Sequence, residues 1–306
     1  MRSRGVIARV PAKINLQLAV GPLGDDGFHE VTTVFQAISL FDDVSVATAP
    51  ENNGISIQIT GQTSKGVPSD NSNLAVKAAT LMIKKYDLPN DLSIKLKKEI
   101  PVAGGMAGGS ADAAGVIAGL DSLFELGLSR DEMEILGSKI VADVPFSICG
   151  GVAIGTGKGD QITPALFKGS YNWVLSLSGQ GLATPSVYAE CDRLREGLSI
   201  AIPVVSEHLM QALRAGDAKA LGKSLSNDLQ PAACSLRPAL RLVLDVGLDY
   251  GALGGIVSGS GPTVAFLVKD DEHAMDLTVA LSSSGVISSV VRATGAVAGA
   301  RIIESF

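Results

Sequence analysis

Ten residues constrain this chain more than any others: Pro101-Val102-Ala103-Gly104-Gly105-Met106-Ala107-Gly108-Gly109-Ser110. Glycines interleaved with alanine and methionine leave little side-chain bulk. A backbone of this kind can approach a bulky anion and turn successive N–H groups toward it. Asp91 to Ile100 alternates in polarity and predicts a strand entering the loop. Ala111 to Leu126 is rich in Ala and Leu and predicts a helix leaving it, with Gly127 as its C-cap. A helix opening at Ser110-Ala111-Asp112 adds free N–H donors and a partial positive charge at the same place. The competing reading is a plain flexible turn. Two Gly-Gly pairs set between a strand and a helix favour phosphate binding. The Ser110 hydroxyl can meet a phosphate oxygen, meet a metal-bound water, or cap its own helix. This is not a Walker A loop, because no lysine follows the glycines. Nor is it a Rossmann turn, since the preceding strands do not read as parallel and buried.

Composition excludes other classes. Of 306 residues, 46% are hydrophobic and 18% charged, the opposite of a disordered chain. Mean hydropathy is +0.31, yet no apolar run reaches the roughly 20 residues that span a bilayer. The start Met1-Arg2-Ser3-Arg4 is basic like a signal peptide, but Arg9, Pro11 and Lys13 interrupt the apolar stretch behind it, so no signal peptide is expected. The three cysteines (Cys149, Cys191, Cys234) and three histidines (His29, His208, His273) are scattered and show no metal-ligand spacing. A reducing, cytoplasmic setting and no His/Cys metal site are expected. A net charge of −6 and 4% aromatic residues leave nucleic-acid binding without its usual footprint. Lys95-Leu96-Lys97-Lys98 reads as the solvated side of a strand.

Along the chain, segments 6–10, 14–20, 31–40, 43–48 and 54–60 read as strands parted by Gly, Pro, Asp and Asn turns. Asp70-Asn71-Ser72-Asn73 offers a cap for a helix to about Tyr86, and Ser129-Arg130-Asp131-Glu132 starts another ending near Ala142. Gly150 to Asp160 reads as strand and turn, and residues 165–170 as a boundary. Beyond it come a strand at Trp173–Leu177, helices between Thr184 and Leu248, strands at 255–257 and 263–268, a helix from Asp271, and a strand near 287–293. Strands and helices come in blocks, so the expected class is α+β, with domains at 1–165 and 166–306.

Pro101 to Ser110 resembles the phosphate loop of the GHMP kinases, the galactokinase, homoserine, mevalonate and phosphomevalonate kinase superfamily. Val10-Pro11-Ala12-Lys13-Ile14-Asn15-Leu16 is similar to its first motif, and Val257-Ser258-Gly259-Ser260-Gly261-Pro262-Thr263 to its third. The last could be a simple turn on its own; the order of the three carries the resemblance. It implies a two-domain fold, with a mixed sheet and helices first and an antiparallel sheet with helices second. It also implies a kinase using ATP with Mg²⁺. Pro101 through Ala111 would hold the ATP phosphates. Asn73 would either meet the nucleoside or cap its helix.

Within the superfamily, Pro11-Ala12-Lys13-Ile14-Asn15-Leu16, Asp26-Gly27-Phe28-His29-Glu30 and Ala142-Asp143-Val144-Pro145-Phe146 are similar to the branch acting on 4-diphosphocytidyl-2-C-methyl-D-erythritol, in non-mevalonate isoprenoid synthesis. That resemblance implies a cytosine pocket in which Phe28 stacks on the base and His29 bonds its edge. The branch usually has Tyr where Phe28 stands; Phe keeps the stacking and loses the hydroxyl. A buried turn is the bland alternative for both residues. The resemblance makes Asp143, expected at a helix end leading into a strand, the general base for a tertiary hydroxyl. Lys13 beside it would keep that carboxylate ionised and offset charge on the moving phosphoryl group. Asn15, Thr184, Tyr188, Gly259 and Ser260 would face the substrate; Asn15 could instead orient Lys13, and Thr184 could cap a helix. No carboxylate is assigned to the metal. The partner is the small molecule alone, with no nucleic acid and no membrane, and the chain is expected to be a monomer or weak homodimer.

Overall fold

The computed structural model describes residues 4–285, 287 and 289–306. The basic start at Met1-Arg2-Ser3 and part of the strand expected near 287 lie outside the described residues. The first four expected strands are two long ones, β1 (Gly5–Leu23) and β2 (His29–Thr48), paired antiparallel. The punctuation that predicted turns is absorbed within them. Register shifts fall at Pro11/Ala12, between Asn15 and Gln17, and between Val20 and Leu23. Proline has no N–H to give a ladder, so a bulge is where it does least harm. Asp42-Asp43 does not turn the chain because both carboxylates find cations. Arg9 grips Asp43 at 2.7 and 2.9 Å, and Lys98 meets Asp42.

After β3 (Ile55–Thr60), Asn73 caps α1 (Leu74–Tyr86) by accepting from the Ala75 amide at 2.8 Å. β4 (Leu92–Lys97) runs parallel to β3 and antiparallel to β2. α2 (Gly108–Phe124) starts three residues earlier than expected and ends at Glu125, whose left-handed φ of 54° does the work assigned to Gly127. α2 lies against the sheet because its facing residues are small. A Cβ on Gly115 would stand 2.6 Å from Val44 Cγ2, and one on Gly119 2.6 Å from Val46 Cγ2. Leu120 and Ile117 are fully buried in that seam, each contributing about 1.5–3 kcal/mol.

α3 (Arg130–Ser138) opens with a Ser129/Glu132 capping box but stops short of Ala142. A short helix, α4 (Val144–Cys149), follows with Pro145 in its first turn. Asp143 therefore precedes a helix rather than a strand. β5 (Val152–Thr156) and β6 (Gln161–Pro164) form a hairpin on β2.

The second half contains β7 (Tyr171–Leu177), α5 (Thr184–Leu194), α6 (Glu207–Ala215), α7 (Ala218–Ser224), β8 (Ser226–Asn227), α8 (Gln230–Leu236), α9 (Ala239–Asp249), β9 (Gly254–Val257), β10 (Val264–Val268), α10 (Asp271–Ser283), β11 (Ser289–Gly295) and β12 (Arg301–Ser305). β9, β10, β7 and β11 form an antiparallel sheet. Together with the mixed first-half sheet, this is the α+β arrangement expected from the sequence. Hydrogen bonds continue from one half to the other. β11 meets β2 at Gly295 and Ile38, β12 pairs with β1, and the buried Trp173 indole donates to Gln36 Oε1 at 2.7 Å. β8 and β12 were not expected; one is two residues long and the other lacks a clean alternation. No helix among the described residues is long and apolar enough to cross a membrane.

Of the basic run, Lys95 and Lys97 are solvated as expected. Lys98 is not: it is 1% exposed, turned inward at the strand's end.

Candidate active site

The glycine loop leaves β4 and climbs to α2 through three left-handed residues, Ala103 (φ 52°), Gly105 (φ 74°) and Ala107 (φ 60°). Ala107 is the N-cap of α2 and gives no side-chain bond to it. The first-turn amides at Gly108, Gly109 and Ser110 thus remain donors for an anion. Pro101, Ala103, Gly104, Gly105, Ala107, Gly108, Gly109 and Ser110 line a cleft of about 520 Å³. Three expected loop residues do not line it; of these, the Met106 and Ala111 side chains are fully buried in the core. Val102 and Asn73 line a smaller neighbouring pocket of about 210 Å³. The Asn73 side chain is spent on the helix cap and on the Pro68 carbonyl at 2.7 Å.

The third motif locks onto the loop. The Ser258 hydroxyl donates to the Gly105 carbonyl at 2.9 Å, and any Cβ on Gly105 would overlap the Ser258 carbonyl oxygen. Asn227, which sequence reasoning missed, holds the motif from behind. Its amide donates to the carbonyls of Val257 (2.7 Å) and Gly259 (2.8 Å) while its oxygen accepts from Leu229 N–H. Gly259 and Ser260 line the main cleft, and Ser260 shares a 2.9 Å hydroxyl contact with Thr184. Ala183, not Thr184, is the cap residue of α5, so the Thr184 hydroxyl is available to this contact.

Lys13 and Asn15 sit two residues apart on β1 and so face the same side, flanked by two bulges. A chain of bonds fixes their orientation. Thr33 donates its hydroxyl to the Gln17 carbonyl at 2.6 Å and accepts from Asn15 Nδ2 at 2.8 Å. Asn15 must then present its oxygen to the Lys13 amine, 2.8 Å away. Asp143 lines the same cleft, half-buried, with its carboxylate not used to cap α4. Among the described residues no direct Lys13–Asp143 ion pair forms; Asp143 acts on the amine through space. Burial lowers the Lys13 pKa below the ordinary lysine value, and Asp143 partly offsets this. The cation is the form lost as pH rises. ATP affinity without acceptor is therefore expected to fall on the alkaline side before pH 10.5, the ordinary lysine value. In Asp143→Asn it should fall at lower pH still. Titrating ATP binding against pH checks both; a limb unmoved by Asp143→Asn would count against the coupling.

A second cleft, of about 410 Å³, shares Val31, Lys158, Thr184, Pro185 and Tyr188 with the first. The β1–β2 turn forms one wall, with Asp26 accepting from Phe28 N–H at 3.0 Å. The Phe28 ring is 57% exposed, and Lys158 Nζ lies 3.7 Å from its centre while pairing with Asp26 at 2.9 Å. His29 is buried: Nδ1 donates to the Gly21 carbonyl at 2.9 Å, and Nε2 faces Asp192 at 3.3 Å. Its ring stacks on Tyr188, centroids 5.2 Å apart. Burial and the nearby Asp143 push the Tyr188 hydroxyl up to about 12, so it remains a donor. Lys158 and Asp192 were missed at the sequence level. Lys158 sits between Gly157 and Gly159 in a stretch read only as strand and turn; a lone cation at a glycine tip was the available signal. Asp192 carried none.

An anion cradle at a helix N-terminus, a buried lysine and a carboxylate meet in one cleft. Residues 73–151 match the GHMP kinases N terminal domain and residues 209–287 the GHMP kinases C terminal family. The chain is 49% identical over 301 residues to a 4-diphosphocytidyl-2-C-methyl-D-erythritol kinase of Rhodococcus jostii, covering 98% of this chain and 96% of that protein. It is 45% identical to the kinase of the same name from Mycolicibacterium smegmatis, over 98% and 93%. A crystal structure of 4-(cytidine 5'-diphospho)-2C-methyl-D-erythritol kinase superposes with TM-score 0.74 at 29% identity, over 94% of this chain and 98% of that one. A homoserine kinase from Cytophaga hutchinsonii, 17% identical, shares the fold with TM-score 0.75, over 98% of this chain and 97% of that one. The chain belongs to the 4-diphosphocytidyl-2-C-methyl-D-erythritol kinase family of the GHMP kinases, enzymes of non-mevalonate isoprenoid synthesis.

Proposed function

We propose that the chain transfers the γ-phosphate of ATP to the C2 hydroxyl of 4-diphosphocytidyl-2-C-methyl-D-erythritol, releasing ADP and the 2-phosphate. The observation that carries this reading is the pair of contiguous clefts. The phosphate loop with Lys13 and Asp143 lies in one, and Phe28, His29 and Tyr188 line the other. In this reading the loop amides and Ser110 hold the ATP phosphates. Lys13 offsets charge on the transferring group, and Asp143 accepts the hydroxyl proton as the bond to phosphorus forms. Asn15 orients Lys13 and reaches the acceptor, with Thr184, Gly259 and Ser260 beside it. His29, with Nδ1–H held by Gly21 and Nε2 beside Asp192, lies at the cytosine edge, while Phe28 and Tyr188 cover the base's faces. Lys158 supplies the diphosphate with a cation at the junction of the clefts.

Mg²⁺ would travel with ATP and neutralise phosphate charge. Among the described residues no group of three or more His, Cys, Asp or Glu could hold a metal. That fits an ion held chiefly by phosphates and waters, with the Ser110 hydroxyl nearby. We further propose a division into domains 1–165 and 166–306, a cytoplasmic setting in keeping with three free cysteines, and a monomer or weak homodimer.

With Mg-ATP and the cytidine substrate, ADP release above background is expected. Homoserine and mevalonate should give none. Turnover of either alcohol in place of the cytidine compound would overturn the substrate assignment.

A further inference from the structure

Beneath the phosphate loop lies a charged cluster outside the main cleft, with Lys98 and Asp112 bordering the smaller pocket that Val102 and Asn73 line. The Lys98 amine donates to Asp42, to Asp112 Oδ2 at 2.7 Å and to the Gly108 carbonyl at 3.1 Å. Asp42 is fully buried and spends its other oxygen on the backbone amides of Glu99 (2.6 Å) and Ile100 (2.9 Å). Asp112 is 2% exposed, and its Oδ1 has no hydrogen-bond partner among the described residues.

The addresses of these contacts are specific. Glu99 and Ile100 are the last residues before Pro101, the strand-side entry to the loop. Gly108 and Asp112 belong to the first turns of α2, the helix-side exit. One cluster therefore grips both ends of the same loop. A core seldom keeps three buried charges where apolar groups of equal volume would pack as well, because their desolvation is costly. Here the charges are retained. Burial opposes the Lys98 ammonium, but Asp112 and Asp42 outweigh it and hold the amine above the ordinary lysine range. Burial pushes Asp112 up to about 7, against the pull of Lys98.

We propose that Lys98, Asp42 and Asp112 are positioning residues for the nucleotide phosphates: by fixing the two ends of loop 101–107 relative to each other, they set the direction of its amides. None of the three needs to touch the transferring phosphoryl group. Adenosine carries no phosphates, and the residues proposed for the cytidine acceptor lie elsewhere, so both should be indifferent to the clamp. The inference rests on the kinase reading above.

The test uses the full chain with Lys98→Met and Asp112→Asn, the second keeping an amide oxygen for Lys98. ATP and adenosine binding are measured by calorimetry below each variant's melting temperature, together with KM for ATP and for the cytidine substrate. Lys98→Met is expected to weaken ATP about tenfold, with adenosine affinity and acceptor KM held within about twofold. Asp112→Asn should show the same pattern at about threefold. A lower melting temperature with every constant unchanged, or parallel losses for ATP, adenosine and acceptor, overturns the proposal. Should Lys98→Met not fold, Asp112→Asn decides by the same pattern. A wild-type chain that binds no ATP would instead refute the kinase reading itself.

Discussion

Asp143→Ala is expected to lower kcat by about 10²–10⁴-fold while ATP affinity moves by less than about threefold. The physical basis is the idleness of this carboxylate in the fold. It stands at the N-cap of α4 without bonding to that helix, so its loss removes no cap and little stability. It lines the cleft with Lys13, and in the proposed reaction it takes the proton of the acceptor hydroxyl. Asp143→Asn should fail as badly, since an amide keeps the shape but cannot take a proton. Thermal melts of both variants should lie close to wild type. Single-turnover kinetics with ATP titrations check the split. Turnover within about tenfold of wild type in either variant would remove Asp143 from the role of base.

Gly105→Ala is expected to be the most damaging single-methyl addition in the site, weakening ATP about a hundredfold or more and lowering the melting temperature. Two independent costs combine. A left-handed φ of 74° is strained for any side chain, at about 1–2 kcal/mol. The new methyl also meets the Ser258 carbonyl, which cannot retreat because it already accepts from Gly261 N–H at 2.8 Å. The loop must then part from the third motif, and its amides lose their aim. Gly127→Ala separates the two costs. Gly127 has φ 70° but nothing within 4 Å of a Cβ, so only strain remains and ATP affinity should hold. Equal effects on ATP binding in the two variants would show that the loop–motif contact is unimportant.

The parts of this site legible in the sequence were those with a local signature. Glycines between a strand and a helix announce an anion cradle because the cause, missing side chains, is written in the residues themselves. The same holds for the Ser129/Glu132 capping box and the Asn73 cap. What was illegible depends on distant partners. Lys98 looked like one more lysine on a wet strand; only the arrival of Asp42 and Asp112 from other elements makes burying it tolerable. Asp143 was placed at the wrong end of a helix because α4 is six residues long, too short for periodicity to reveal. Pro11 and Asp42 read as chain breaks, yet a bulge and a salt bridge carry two strands straight through them. The burial of His29 against Tyr188 arises from an element more than 150 residues away. Asn227 leaves no trace at all, since nothing in its neighbours tells that it will brace a motif 30 residues downstream.

The shared wall between the two clefts has a pharmacological consequence. Lys158, Thr184 and Tyr188 border both, so the two clefts adjoin. A single inhibitor bridging them would bind its second half at an effective concentration set by the tether, in the millimolar range for a short flexible one. Two weak fragments, each too polar or too small to serve alone, could thereby combine into a tight ligand. Its selectivity over kinases that merely share the phosphate loop would come from the end that reaches His29.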